Sequence, residues 1–215
     1  MLKVAARRLA ALVTLSAQLG ACATAVPADT AFGPQSAAAL LVMAAPPADN
    51  AEYTVFRRVD LATGQFQGEL ITIVNAGFGG HQINGDTKSG IWLSPQEVPA
   101  GDYTITSWGI VEGNYTNVRC WTSGSPVFSV PASKITIVAA DRSQAMPGQD
   151  QPRQRVNQIM LDEFATARTK YPNITGAASV APPIAVIEWE EIGINGFVEG
   201  RDKACGGAPS FKRVR

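Results

Sequence analysis

The chain has 215 residues, with 18 Lys and Arg against 18 Asp and Glu, 46% hydrophobic and 17% charged residues, 20 Gly and 14 Pro. That is the composition of a globular protein long enough to bury a core, and it excludes wholesale disorder. Zero net charge removes the electrostatic case for a nucleic-acid partner, and one His with three Cys leaves little material for an all-protein zinc site.

Residues 1–21 read as a signal peptide. Lys3, Arg7 and Arg8 make a basic start, and the apolar run from Leu9 to Leu19 is too short for a membrane span. The next residues, Leu19-Gly20-Ala21-Cys22, resemble the bacterial lipobox, in which the Cys is acylated and becomes the first residue of the mature protein. The resemblance implies a palmitate-bearing lipoprotein held in the membrane through Cys22, at about 0.8 kcal/mol per buried CH₂. Ala23 rather than Asp follows the Cys, which implies the periplasmic face of the outer membrane. The plainer alternative is a secretory signal cleaved near Ala21-Cys22-Ala23. Loss of residues 1–21 removes three cations and no anion, so 15 basic side chains face 18 acidic ones in the mature chain. A faintly acidic domain has no polybasic membrane patch, and the lipid anchors it alone.

With Cys22 taken by lipid, Cys120 and Cys205 form an even pair in an oxidising compartment. A disulfide between them contributes on the order of 4 kcal/mol in the chain-entropy model and ties the tail to the central domain. There is no C-x-x-C, which argues against a redox-active pair.

Residues 22–37 are small, polar and rich in Ala and Pro, and are read as a flexible tether. Residues 38–140 carry short β-rich segments separated by turn signals, the spacing of a sandwich. In chain order these are a buried strand at Ala38–Ala44, an alternating strand at Glu52–Val59, a turn at Asp60–Gly64 and a strand at Gly68–Asn75. A long Gly-rich loop covers Ala76–Ser89. Strands follow at Gly90–Leu93, Asp102–Val111, Val118–Trp121, Pro126–Val130 and Lys134–Ala139. In Asp102–Val111, Tyr103 and Ile105 alternate with Thr104, Thr106 and Trp108. No helix intervenes, so parallel βαβ units are excluded in this region. Residues 141–175 form a loop and a covering helix. There Val156, Ile159, Met160, Phe164, Ala167 and Tyr171 keep a helical period, and Pro172 stops it. Residues 176–215 form a C-terminal extension: a Pro/Ala linker over Ala177–Ile184, an edge strand at Ala185–Trp189 and a basic, Gly-rich tail.

The runs PAGDYTITSW and FSVPASKITIVA resemble the paired strands of prealbumin-like domains, such as carboxypeptidase regulatory-like modules. The helix ending in Lys170-Tyr171-Pro172 is similar to one found in uncharacterised proteobacterial lipoproteins with such a sandwich. The resemblance spans roughly residues 38–175 and implies a prealbumin-like antiparallel β-sandwich with one amphipathic helix after it. It brings no catalytic residues.

Chemistry-bearing residues are few. His81 lies in the Gly-rich loop near Asp86 and Ser89, but no G-x-S-x-G elbow accompanies it, and a loop His is usually solvated. Gly77, Gly79 and Gly80 surround Phe78, yet Gln82 replaces the last Gly of G-x-G-x-x-G and no Walker Lys follows. Phe78, His81 and Asp86 are nevertheless the best binding-loop residues, because function concentrates in long loops on rigid scaffolds. Glu188, Glu190 and Glu191 surround Trp189. The first two share a strand face, and charge that keeps an edge from aggregating explains them more simply than a metal or an acid/base pair. Trp92, Trp108, Trp121 and Trp189 are read as core or half-core residues before a sugar-stacking platform. The expectation is a lipid-anchored envelope protein acting as a non-enzymatic binding or scaffold module, without cofactor or metal. Its partners are the membrane and an envelope protein or glycan. The alternative is an envelope hydrolase or carbohydrate-active protein using His81 and nearby carboxylates.

Overall fold

The computed structural model describes residues 31–45, 51–75, 91–112, 115–140, 150–169, 171–190, 196–199, 205 and 210–214. The first strand, β1 (Ala39–Ala45), is buried at every position. An unbroken apolar run requires cover on both faces. Ala39, Leu41, Met43 and Ala45 point into one core, and Leu40, Val42 and Ala44 into another. Around β1 lies the smaller of two sheets, in the order β4-β1-β8-β9, built with β4 (Trp92–Val98), β8 (Ile135–Ala139) and β9 (Ala178–Val180). β4 runs antiparallel to β1, whereas β8 and β9 run parallel.

Among the described residues the larger sheet has eight strands. The hairpin β2 (Ala51–Asp60) and β3 (Gln65–Asn75) pairs through β2 with one side of β5 (Gly101–Glu112). The other side of β5 is shared by β6 (Tyr115–Cys120) and β7 (Ser125–Val130). Beyond these lie β11 (Gly196–Glu199) on β6, then β10 (Ala185–Glu188) on β7 and β12 (Lys212–Arg213) on β10. The two sheets enclose the central core of Phe56, Ile73, Tyr103, Ile105, Trp121, Phe128 and the inward face of β1.

Among the described residues, the mainly-β sandwich with one helix after its strands is as the sequence implies. Parallel βαβ units, excluded for residues 38–140, begin where that region ends. β8, the helix α1 (Asp150–Arg168) and β9 form such a unit, because the connection after β8 is long enough to carry a crossover helix. α1 lays Met160, Phe164 and Ala167 on the outer face of the smaller sheet. Its last turn is tied down by Arg168, whose guanidinium donates to the Gly176 carbonyl at 2.6 Å. β9 occupies a stretch that the sequence presents as a linker, since three residues shortly before Pro182 and Pro183 are too few to carry a strand pattern. The packed chain also begins before Ala38. Phe32 is buried under the helix end, and its N–H donates to the Asn173 carbonyl at 3.0 Å.

The simple alternation read along β5 needs correction. The pairing of β2 with β5 shifts between Val55 and Phe56, so that Phe56 opposes Ile105 while Thr54 opposes Trp108. Directly opposed residues share a face. Thr106 is therefore the extra residue of a bulge, and Trp108 lies on the face of Ile105 rather than opposite it. At 39% exposure it stands at the rim of that face.

Candidate functional site

The outer face of the larger sheet is closed by the C-terminal extension. Val59, Phe66, Val118, Val127, Ala185, Ile187 and Trp189 form a third core with Cys205, which is fully buried. The expected disulfide is present: Cys120 at the end of β6 joins Cys205 across 85 positions, with Cα atoms 5.6 Å apart. Disulfide geometry needs that spacing, and it fixes one point of the tail on the sheet.

A second anchorage uses the β2–β3 turn. Asp60 accepts hydrogen bonds from the N–H groups of Ala62 at 2.9 Å and Thr63 at 3.2 Å. The Thr63 side chain and these main-chain donors hold the Asp60 carboxyl below its ordinary pKa. The turn ends on Gly64 at φ 69°, where a Cβ would also stand 3.1 Å from the Phe211 carbonyl. Only glycine fits both demands. The Gly64 carbonyl then accepts from Phe211 N–H at 2.9 Å, and Gln65 bridges to Ser210. The aromatic rings continue the attachment. Phe66 meets Phe211 edge-on at 5.2 Å and Trp189 at 5.9 Å, with the Arg57 guanidinium 4.6 Å above the Phe66 ring.

Between this tail and the β6–β7 turn lies an open groove of about 680 Å³. One wall is Thr122 and Ser123, the other Ser210, Phe211 and Lys212, and the end of β10 supplies Glu188, Trp189 and Glu190. Glu188 opposes Lys212 in the register of β10 with β12. Trp189 is 6% exposed. Its indole N–H donates to the Trp121 carbonyl at 2.9 Å and to the Ser125 hydroxyl at 3.3 Å, and Ser125 donates in turn to Trp121. The groove thus joins the held rings of Trp189 and Phe211 to two exposed carboxylates, three hydroxyls and one ammonium.

Cys120, Cys205, Trp121 and Trp189 occupy the places that their residue types suggest. The four Trp do not form one platform: Trp121 and Trp189 are core residues, Trp108 is at a rim, and Trp92 lies on β4 of the other sheet. β10, which ends at Glu188 and leaves Glu190 beyond it, is not the sheet edge, since β12 pairs outside it. Cys22 and the loop residues Phe78, His81 and Asp86 lie outside the described residues. The groove residues Thr122, Ser123, Ser210 and Phe211 carry no sequence signal, because the contacts that gather them span about ninety positions. Among the described residues no three His, Cys, Asp or Glu gather as metal ligands, and no helix is long and apolar enough to cross a membrane. Compared with known proteins, the sequence matches no family model, and neither curated proteins nor solved structures match it.

Proposed function

We propose that the chain is a lipid-anchored cell-envelope protein whose sandwich serves as a non-enzymatic binding module. It is held at the periplasmic face of the outer membrane through Cys22. The observation that supports this reading is the Cys120–Cys205 disulfide, since lasting disulfides belong to oxidising compartments and bacterial examples lie outside the cytoplasm. The basic start, the short apolar run and the Leu-Gly-Ala-Cys sequence supply the route there. The prealbumin-like resemblance belongs to the same proposal. It draws support from the turn that opens β5, where the Tyr103 hydroxyl donates to the Pro99 carbonyl at 2.6 Å. The described surface offers binding chemistry in the groove beside Trp189. Cells fed an alkyne-tagged fatty acid test the reading. The wild type acquires label and stays with membranes, whereas Cys22→Ser does neither. An unlabelled wild type, or a labelled Cys22→Ser protein, overturns it.

A further inference from the structure

We propose that the groove beside Trp189 is a glycan-binding site that takes an uncharged stretch of saccharide chain. The inference rests on the binding-module reading and gives it a ligand class.

Four observations carry it. First, the lining offers donors and acceptors together: Glu188 and Glu190 only accept, Lys212 only donates, and the hydroxyls of Thr122, Ser123 and Ser210 do both. Sugar hydroxyls and acetamido groups, which also do both, are the complementary chemistry. Second, two carboxylates against one ammonium disfavour phosphate- or uronate-bearing polymers relative to uncharged chains. Third, the half-buried Phe211 offers an aromatic surface that is already held, edge-on against Phe66 at 5.2 Å and by its N–H to Gly64. The apolar C–H face of a pyranose packs on such a ring, and little order has to be created on binding. Trp189 shows the groove only its margin and acts as the fixed support. Fourth, a volume of about 680 Å³ lies within the ordinary range of ligand clefts, and the groove is open rather than closed over. That shape suits part of a chain better than an enclosed small molecule.

A peptide partner fits less well. Strand addition needs a length of unpaired edge, and β12 beside the groove has two residues. The described lining sets Phe211 among charged and hydroxyl side chains, not the apolar set that an anchoring side chain needs.

The test uses the whole protein, isotope-labelled and with its disulfide intact, titrated with three trisaccharides: the N-acetylglucosamine trimer, maltotriose and the anionic galacturonate trimer. At least one uncharged sugar shifts the Trp189 indole N–H and the Ser210 and Phe211 amides saturably, and the galacturonate trimer does not. Phe211→Ala weakens the affinity by about tenfold or more, a loss of about 1.4 kcal/mol, and Phe211→Trp restores it. The second variant separates lost stacking from a loosened tail. Absence of saturable shifts with both uncharged sugars, equal response to the anionic trimer, or indifference to Phe211→Ala overturns the site. A photo-crosslinker at Ser123 that captures a protein instead of glycan overturns it as well. The anchor is read at Cys22, so a lipid-labelled protein with a silent groove loses the glycan proposal alone. An unlabelled protein whose groove responds to sugar loses the anchor alone.

Discussion

The indole N–H of Trp189 donates to the carbonyl of Trp121, 2.9 Å away and 68 positions earlier in the chain. This bond joins the end of β10 to the turn after β6, and the Ser125 hydroxyl completes the triangle by accepting from Trp189 and donating to Trp121. Trp189→Phe keeps a ring but removes the donor, which costs about 1 kcal/mol in urea denaturation. Trp189→Ala also removes the support of Phe66 and costs about 3–5 kcal/mol. If Trp189→Phe matches the wild type in stability, the triangle contributes nothing to holding the groove.

The disulfide makes a larger and differently distributed contribution. Closing a loop across 85 positions stabilises by about 4.6 kcal/mol in the chain-entropy model. The Cys120→Ala/Cys205→Ala protein loses several kcal/mol, and its amide exchange rises first in residues 210–214 and β10, whose cover depends on the tethered tail. Peptide mapping under non-reducing conditions that finds both thiols open to alkylation in the folded protein rules the bridge out. Uniform loss of protection would show that the third core is not a separate unit.

Sequence patterns find the elements that carry their own periodicity. Alternation in Glu52–Val59 puts Tyr53, Val55 and Val59 on one side and Thr54, Phe56 and Arg58 on the other. Phe56 and Val59 do enter different cores, and the continuous apolar run at β1 correctly signals burial on both faces. Parity of thiols finds Cys120 with Cys205. What is missed depends on non-local pairing. The Thr106 bulge exists only relative to β2, so its reversal of Trp108 is invisible in β5 alone. β9 gains strand geometry by lying beside β8, and its three residues are too few to show a period. The groove is missed for the same reason: Glu188 and Glu190 announce themselves as a pair, but their neighbours Ser123 and Ser210 are ordinary loop residues until the tail folds back.

The Pro99–Gly101 turn is a local test of strand placement. The Tyr103 hydroxyl reaches back four residues to the Pro99 carbonyl, and a Cβ on Gly101 would stand 2.8 Å from Arg58 Cδ. Tyr103→Phe loses one partly buried hydrogen bond, about 1 kcal/mol. Gly101→Ala forces Arg58 aside and costs about 1–3 kcal/mol. Both losses appear in thermal unfolding monitored by near-ultraviolet circular dichroism. A Gly101→Ala protein with unchanged Tm would show that the Arg58 side chain yields freely.

Glu52 gives an expectation about pH. It stands in β2 opposite Ile110 and Asn75, where burial pushes its carboxyl pKa up. A raised folded-state pKa favours the neutral form, so the stability linked to this group is full below the unfolded pKa and is lost as pH rises through the folded one. Glu52→Gln imitates the neutral form. Its melting temperature exceeds that of the wild type at neutral pH, and the difference shrinks to nothing in acid. An advantage that is constant with pH would assign the gain to packing instead.

Asp60 has the opposite sign and acts on the groove. The Thr63 side chain, then the main-chain N–H groups of Thr63 and Ala62, lower its carboxyl pKa by binding the charged form. The linked stability is therefore present above the unfolded pKa and is lost as pH falls through the depressed folded one. The carboxylate holds the turn that ends at Gly64, and Gly64 accepts the Phe211 N–H at 2.9 Å, so protonating Asp60 loosens one wall of the groove. Asp60→Asn keeps an acceptor for Ala62 but lacks the charge. At neutral pH it raises amide exchange at Phe211 and lowers stability, and both differences fade as acid protonates the wild-type carboxyl. Gly64→Ala disturbs the same junction by collision with the Phe211 carbonyl, so its effect on Phe211 is independent of pH. An Asp60→Asn effect that persists unchanged into acid would mean that the turn is held by shape and not by charge.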